Sequence, residues 1–395
     1  MSDLLLQIVR AVRQQIGPAV PAVASVLPDV IAAALRQARE HGLPALIEAP
    51  ADEVNQFGGH SGLTPADFAA LVQDIARSQN LDNVPLILGA ENLGPGLWSG
   101  LDPAAAMAHA ERMTADFAAA GFNRMHFHDL DAADIARLVA VAEAHAPARH
   151  LPAYAIPAGS DPESGVTSPE DLAEALIRHE TAFAEAGLAA AWRRVRTVSV
   201  RFGMGFTPAH VERLDIEQPD ELSAVLRDHD RIALEAYAAD YQSACVCADL
   251  TRRNVAVLKL GPGLSFAWRE ALYALSHVQT WAEGGPHISE RMEALMLADP
   301  AMWQQDGAGL ASQHRVLRHF GFTDRIRHYW PKAGAELATL CESMQASGLH
   351  LPLLLQYLPP ETLARAARLD LPPAQAILQA QVEQALSACY PEETC

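Results

Sequence analysis

Short apolar runs alternate with longer segments of helical period along most of this chain. Residues 20–26, 44–48, 84–88, 124–128, 153–157, 196–201, 232–235 and 255–260 read as eight strands, several of them continuous runs of the kind buried on both faces. Helical pattern fills the intervals at 28–41, 64–78, 102–121, 131–145, 168–187, 219–229, 238–251 and 265–283. The start signals are local: Thr64 stands at an N-cap position, Pro65 at the first helical position and Asp67 in the first turn.

Eight such alternations in about 285 residues predict an α/β chain folded as a (β/α)8 TIM barrel over residues 1–284. A doubly wound sheet is the competitor, but no Gly-x-Gly-x-x-Gly fingerprint follows the first strand. Beyond 284 the pattern is helical without strands, broken near Pro300, Gly307 and Pro331, and residues 285–395 read as a helical C-terminal extension packed on the barrel.

Half of the 395 residues are apolar, enough for a large core, and 48 acidic against 29 basic side chains give a formal charge of −19. Such a field disfavours nucleic acid and anionic membranes as partners, and a phosphorylated ligand would need a local cationic pocket. No apolar run is long enough to span a bilayer, and Leu4-Leu5-Leu6 is interrupted too early for a signal peptide. The expected setting is a reducing cytoplasm. Of the five cysteines, Cys245-x-Cys247 lacks the spacing and second pair of a zinc ribbon and reads as packing.

Barrel chemistry sits at the strand C-termini, and those ends supply Glu48, Glu91 with Asn92, His126 with His128, Arg201, Glu235 with Tyr237, and Lys259. The third strand shows the pattern best: the apolar run 84–88 closes on Gly89, and Glu91 and Asn92 follow at once. His126 and His128, two apart in a strand, share a face and could hold a metal or handle a proton; the plainer alternative is a core histidine beside a loop histidine. Lys259, closing an apolar strand, must reach water, a carboxylate or an anion. Gly261-Pro262-Gly263 before a helix would offer backbone N–H groups to a phosphate, or is simply a tight connection.

Several segments together resemble one family. Glu48-Ala49, Asn55-Gln56-Phe57-Gly58-Gly59, Thr64-Pro65-Ala66-Asp67-Phe68 and Leu93-Gly94-Pro95 are similar to the signature of the non-catalytic (Z-type) subunit of class II tagatose-bisphosphate aldolase. So are Glu235-Ala236 with Asp240-Tyr241-Gln242, Leu258-Lys259 with Gly261-Pro262 and Arg269-Glu270-Ala271, Asp324-Arg325-Ile326-Arg327 and Gln356-Tyr357-Leu358-Pro359. The resemblance implies a TIM barrel binding a sugar or sugar phosphate, a zinc, manganese or iron ion or none, and a catalytic aldolase subunit or a second copy as partner.

The resemblance also exposes departures. Ala90-Glu91-Asn92 stands where the family has Gly-Asp-His, Tyr237 where it has His, His128 where it has Asp, and the fifth strand lacks a family carboxylate. Two readings follow. In one, the barrel is a subunit-type protein of carbohydrate metabolism with a degraded metal centre. In the other, it is an active divalent-metal aldolase or epimerase with a rebuilt site: Glu91, Glu235 and Lys259 catalytic, His126 and His128 on the metal. The expected sugar-binding residues are Glu48, Asn55, Gln56, Asn92, Arg201, Tyr237, Asp240, Gly261 and Arg269.

Overall fold

The computed structural model describes residues 3–128, 130–159, 165–304, 311–347 and 350–390. The strands are β1 (Val20–Ala24), β2 (Ala45–Pro50), β3 (Leu86–Leu93), β4 (Arg124–Phe127), β5 (Ala153–Pro157), β6 (Val195–Val200), β7 (Gly205–Phe206), β8 (Val211–Glu212), β9 (Ala233–Ala236) and β10 (Val255–Leu260). β7 and β8 pair as a small antiparallel hairpin. The other eight close, all parallel, into a TIM barrel in the order β1-β2-β3-β4-β5-β6-β9-β10.

The helices before and between the barrel strands are α1 (Leu4–Arg13), α2 (Pro28–Glu40), α3 (Pro65–Ser78), α4 (Pro103–Ala119), α5 (Ala132–His145), α6 (Pro169–Glu185), α7 (Ala189–Trp192) and α8 (Ala244–Arg252), and α9 (Pro262–Glu283) follows the last strand. α3 and α6 start with the same device, a capping box in which Thr64 or Ser168 exchanges hydrogen bonds with Asp67 or Asp171.

Three boundaries differ from expectation. Residues 219–229 are not an α-helix: the N–H groups of Val225, Leu226 and Arg227 reach back only three residues, making successive turns. α8 starts at Ala244 because Ala238 and Tyr241 take positive φ (55° and 63°), which a helix cannot accommodate. α9 starts at Pro262 rather than Ser265, with the proline at the first helical position, so the Gly261 connection is the helix cap itself.

α1 was not anticipated. Leu5, Ile8, Val9 and Val12, at i, i+3, i+4 and i+7, form its apolar face and pack beneath the barrel on Val20, Leu46, Ile87 and Val257. At the other end of the chain come α10 (Ile288–Ala298), α11 (Ala311–Phe320), a 3-10 segment (Arg325–Ala333), α12 (Gly334–Ser347), α13 (Leu351–Leu354), α14 (Pro360–Ala366) and α15 (Pro373–Leu386). α15 lies against α2 and α9, where Arg36 is buried with Glu383 and donates to Gln379 at 2.8 Å. Cys247 is a buried thiol 3.9 Å from the Cys389 sulfur. Among the described residues no helix is long and apolar enough to cross a membrane.

Candidate functional site

A layer of charge fills the barrel interior below its mouth, and the strand register explains how it fits. Glu48 on β2 is level with Gly89 on β3, which is level with Arg124 on β4. A Cβ on Gly89 would lie 2.8 Å from the Glu48 carboxylate, so the missing side chain is what lets Glu48 reach across β3 to Arg124. Arg124 also binds Glu235 of β9, whose same oxygen accepts from Thr197 of β6 at 2.8 Å. Lys259 of β10 closes the ring, bound to Glu48 and 2.7 Å from Glu91 of β3.

Arg124, Glu48 and Glu235 have no exposed surface and Lys259 is 3% exposed. Isolated charges could not be kept there; these persist because each is paired. Burial opposes ionisation of Glu48, but Lys259 and Arg124 together hold its carboxyl below the ordinary value. Burial likewise works against Lys259 and Arg124, and the surrounding carboxylates more than compensate, raising both. Glu91 goes the other way: burial, reinforced by the neighbouring Glu48 charge, pushes its carboxyl up despite Lys259. His126 is held neutral by burial and by Lys259 and Arg124 nearby.

Above this layer lies a cavity of about 380 Å³, lined among others by Asp52, Glu91, Asn92, Tyr237, Lys259, Thr323, Arg325 and Arg327. Its roof comes from the C-terminal segment, and Asp324 fixes that segment in place. Asp324 is buried, accepts from Ser265 Oγ at 2.6 Å and from Arg269 Nε at 2.9 Å, and Arg269 in turn lies 4.2 Å over the Phe266 ring. Arg327 donates to Glu53 at 3.1 Å, tying the roof to the loop after β2.

The structure thus brings Glu91, Asn92, Tyr237, Asp240, Lys259 and Gly261 to one cavity and places the other expected residues elsewhere. Glu48 and Glu235 are in the layer beneath it. Asn55 organises its own loop, donating to Ala51 O and accepting from the N–H groups of Phe57 and Gly59, while Gln56 donates to His109 O. Arg269 is committed to Asp324, and Arg201 lies 5.9 Å over the Tyr237 ring.

The phosphate cradle expected at Gly261 is already filled. The N–H groups of Gly261 and Gly263 both donate to Asp240 Oδ1, at 2.9 and 2.8 Å, so an internal carboxylate holds the N-terminus of α9. Burial pushes the Asp240 carboxyl up to about 6 against those two bonds. A Cβ on Gly263 would fall 2.8 Å from the same oxygen, which is why glycine stands there.

His126 and His128, the residues expected to hold a metal, lie side by side with ring centroids 6.2 Å apart. His126 Nδ1 accepts the Asn92 N–H at 3.3 Å, which leaves Nε2 facing Glu235 Oε1 at 3.6 Å. His128 stacks on Tyr237, ring centroids 5.5 Å apart and planes 5° from parallel. Among the described residues no three His, Cys, Asp or Glu side chains converge to hold an ion, whereas such a site calls for about three protein ligands. The positive charge a dication would bring to these carboxylates is supplied by Arg124 and Lys259.

Sequence reasoning gave no role to Arg124, Thr197, Arg325 or Arg327. The two roof arginines depend on a contact across the whole chain.

Comparison with known proteins agrees with this architecture. A protein described as a probable tagatose 6 phosphate kinase from Sinorhizobium meliloti 1021 is 35% identical, covering 94% of this chain and 99% of that one, with a TM-score of 0.85. Looser likenesses are to the YdjI aldolase of Escherichia coli K12 (13% identity, TM-score 0.45, covering 85% of this chain and 96% of that one). The fructose-bisphosphate aldolase of Campylobacter jejuni is comparable (16%, 0.46, 85% and 94%); neither score is high enough to carry an argument. Residues 5–393 match the family D-tagatose-1,6-bisphosphate aldolase subunit GatZ/KbaZ-like, and the chain belongs to it.

Proposed function

We propose that this tagatose-bisphosphate aldolase subunit-like protein binds a phosphorylated ketose at its barrel mouth and works with a catalytic aldolase subunit. One observation carries the reading: a single cavity combines cations from two sources, Lys259 of the barrel and Arg325 with Arg327 of the C-terminal roof, with hydroxyl-binding groups such as Asn92, Asp52 and Tyr237. Against a protein charge of −19, that is where a sugar phosphate finds both its counter-charge and its hydrogen-bond partners. The subunit character of the family supports the partner, and the cytoplasm is the proposed setting on the same ground.

Titration calorimetry with tagatose 6-phosphate and with tagatose tests it. Binding of the phosphorylated sugar should be much the stronger, and Arg325→Ala should weaken it about 10- to 100-fold, the loss of one charge-assisted bond, while leaving the neutral sugar unaffected. Equal binding of both sugars would refute the assignment. Native mass measured with and without a catalytic aldolase subunit decides between a mixed complex and a homo-oligomer.

A second reading, an active epimerase or aldolase, is favoured by Glu91, a buried carboxylate that lines the cavity and whose proton affinity is raised by that burial. In its metal-dependent form this enzyme would rely on His126 and His128 for the ion, with Glu235 Oε1 3.6 Å from His126 Nε2. Phosphoryl transfer has less support: the sequence contains no Gly-x-x-x-x-Gly-Lys-Ser/Thr loop.

A further inference from the structure

Resting on the sugar-phosphate reading above, we infer that this barrel performs metal-independent proton transfer at the carbon next to a ketose carbonyl, with Lys259 polarising the carbonyl oxygen and Glu91 moving the proton. Four observations converge on this pair. Lys259 and Glu91 are the two members of the buried charge layer that also line the cavity. They stand 2.7 Å apart, so one ligand can touch both. Lys259 is held rigidly on its far side by Glu48, itself fixed by Arg124. Both side chains are almost fully removed from water, at 3% and 8% residue exposure, and in such a place a fixed cation acts far more strongly than it would in solvent.

Enolisation asks for two things: a base at the carbon and a positive charge where the oxyanion develops. A divalent metal is one way to supply the charge. Here arginine and lysine engage the carboxylates of the layer: Glu48 through both oxygens by Arg124 and Lys259, and Glu235 through Oε2 by Arg124. An ammonium group on a strand end meets the same electrostatic requirement, and its three donors suffice to hold Glu48, Glu91 and a carbonyl oxygen together.

The step balances without an added reagent. The Glu91 carboxylate takes a proton from the carbon adjacent to the carbonyl, the C–H pair becomes the enediolate double bond, and the carbonyl π pair moves to oxygen, which accepts hydrogen bonds from the Lys259 ammonium. Return of a proton from Glu91 restores the ketose. The carbon skeleton is neither oxidised nor reduced, and solvent hydrogen enters whenever Glu91 exchanges its proton before giving it back.

The experiment uses the full chain, stripped with EDTA, mixed with tagatose 6-phosphate or fructose 6-phosphate in deuterium oxide. Calorimetry measures binding, and NMR measures deuterium entering next to the carbonyl. Expected are binding and exchange without metal, a rate unchanged within about twofold on adding zinc, manganese or iron, and a loss of about 100-fold or more in Glu91→Gln with binding retained. Lys259→Met leaves Glu91 unpaired and Glu48 with Arg124 alone and can unfold the barrel, so Lys259→Arg serves beside it: a folded, ligand-binding Lys259→Arg protein exchanging at least 10-fold slower supports the role. Exchange that appears only with added metal, or tight binding with no exchange at all, overturns this inference while the sugar-phosphate reading stands. Absence of binding to either sugar phosphate overturns both.

Discussion

The two ends of this barrel are built from the same strands and could hardly differ more. At the N-terminal end, Val20, Leu46, Ile87 and Val257 meet the apolar face of α1 and form a dry plug. A few residues further along β2 and β10 stand Glu48 and Lys259, which meet Arg124 of β4 and Glu235 of β9, all four just as deeply buried and all ionisable. Burial therefore does not separate stability from function in this molecule; the chemistry of what is buried does. The plug adds hydrophobic stabilisation roughly in proportion to apolar area removed from water, and tolerates exchange of one hydrocarbon for another. The charge layer contributes little net stability, because desolvation offsets most of the attraction, yet it fails badly if one member is removed.

The largest expected effect comes from breaking the charge layer at its hub. Arg124→Met fits the same space but leaves Glu48 without one partner and Glu235 with only Thr197. Urea unfolding should show a loss of about 3–5 kcal/mol. Adding Glu235→Gln to Arg124→Met should recover part of that loss, since the uncompensated charge goes with it. A loss below about 1 kcal/mol in Arg124→Met would mean that water reaches the layer and that the two ends are not electrostatically distinct.

A smaller effect is expected at the opposite end. Leu5→Ala removes a 3% exposed side chain of α1 from the plug and should cost about 2–3 kcal/mol, toward the low end for such a change because a terminal helix can settle into the gap. Calorimetry with tagatose 6-phosphate on this variant should give an affinity within about twofold of the parent. If Leu5→Ala weakens binding by much more than twofold, the two ends are mechanically coupled.

How much of this could be read in advance follows the same division. All eight barrel strands were legible, since each is a short local run, most of them largely apolar, that alternates with segments of helical period. The charge layer was not: Glu48 and Lys259 are 211 positions apart and Glu48 and Arg124 76 apart, and no periodicity links them. Lys259 and Glu91 were found because a polar residue at an apolar strand end is itself a signal, whereas Arg124, at the start of β4, carried no such mark of its partners. The Gly261 turn was recognised and its occupant missed, because Asp240 reaches it from the preceding strand–helix connection and takes the donors a phosphate would have used. α1 was hidden by its own surroundings: its apolar face reads as amphipathic helix, but only the closed barrel shows what that face covers.

The smallest effect concerns the joint between the barrel and its roof, and it is read as a slope. Glu53 is buried, accepts from Arg327 Nε at 3.1 Å and lies 3.5 Å from His328 Nδ1. Burial outweighs Arg327 and pushes its carboxyl up to about 7. The folded state therefore keeps a proton on Glu53 at pH values where the unfolded chain has released it. For a carboxyl raised in this way the folded state is favoured most at low pH, and the advantage shrinks as pH climbs from about 4.5, the ordinary value, to about 7, above which it is constant. Glu53→Gln stays neutral throughout and lacks that dependence. Other buried acids, Asp240 among them, contribute equally to both proteins and cancel in the difference. Urea midpoints taken from pH 4.5 to 7.5 should therefore show the parent falling relative to the variant by no more than about 1.4 kcal/mol per pH unit, the limit for a single proton. Parallel curves would mean that Glu53 is already ionised at low pH, held so by Arg327, and the roof would then be fastened to the barrel by a permanent ion pair.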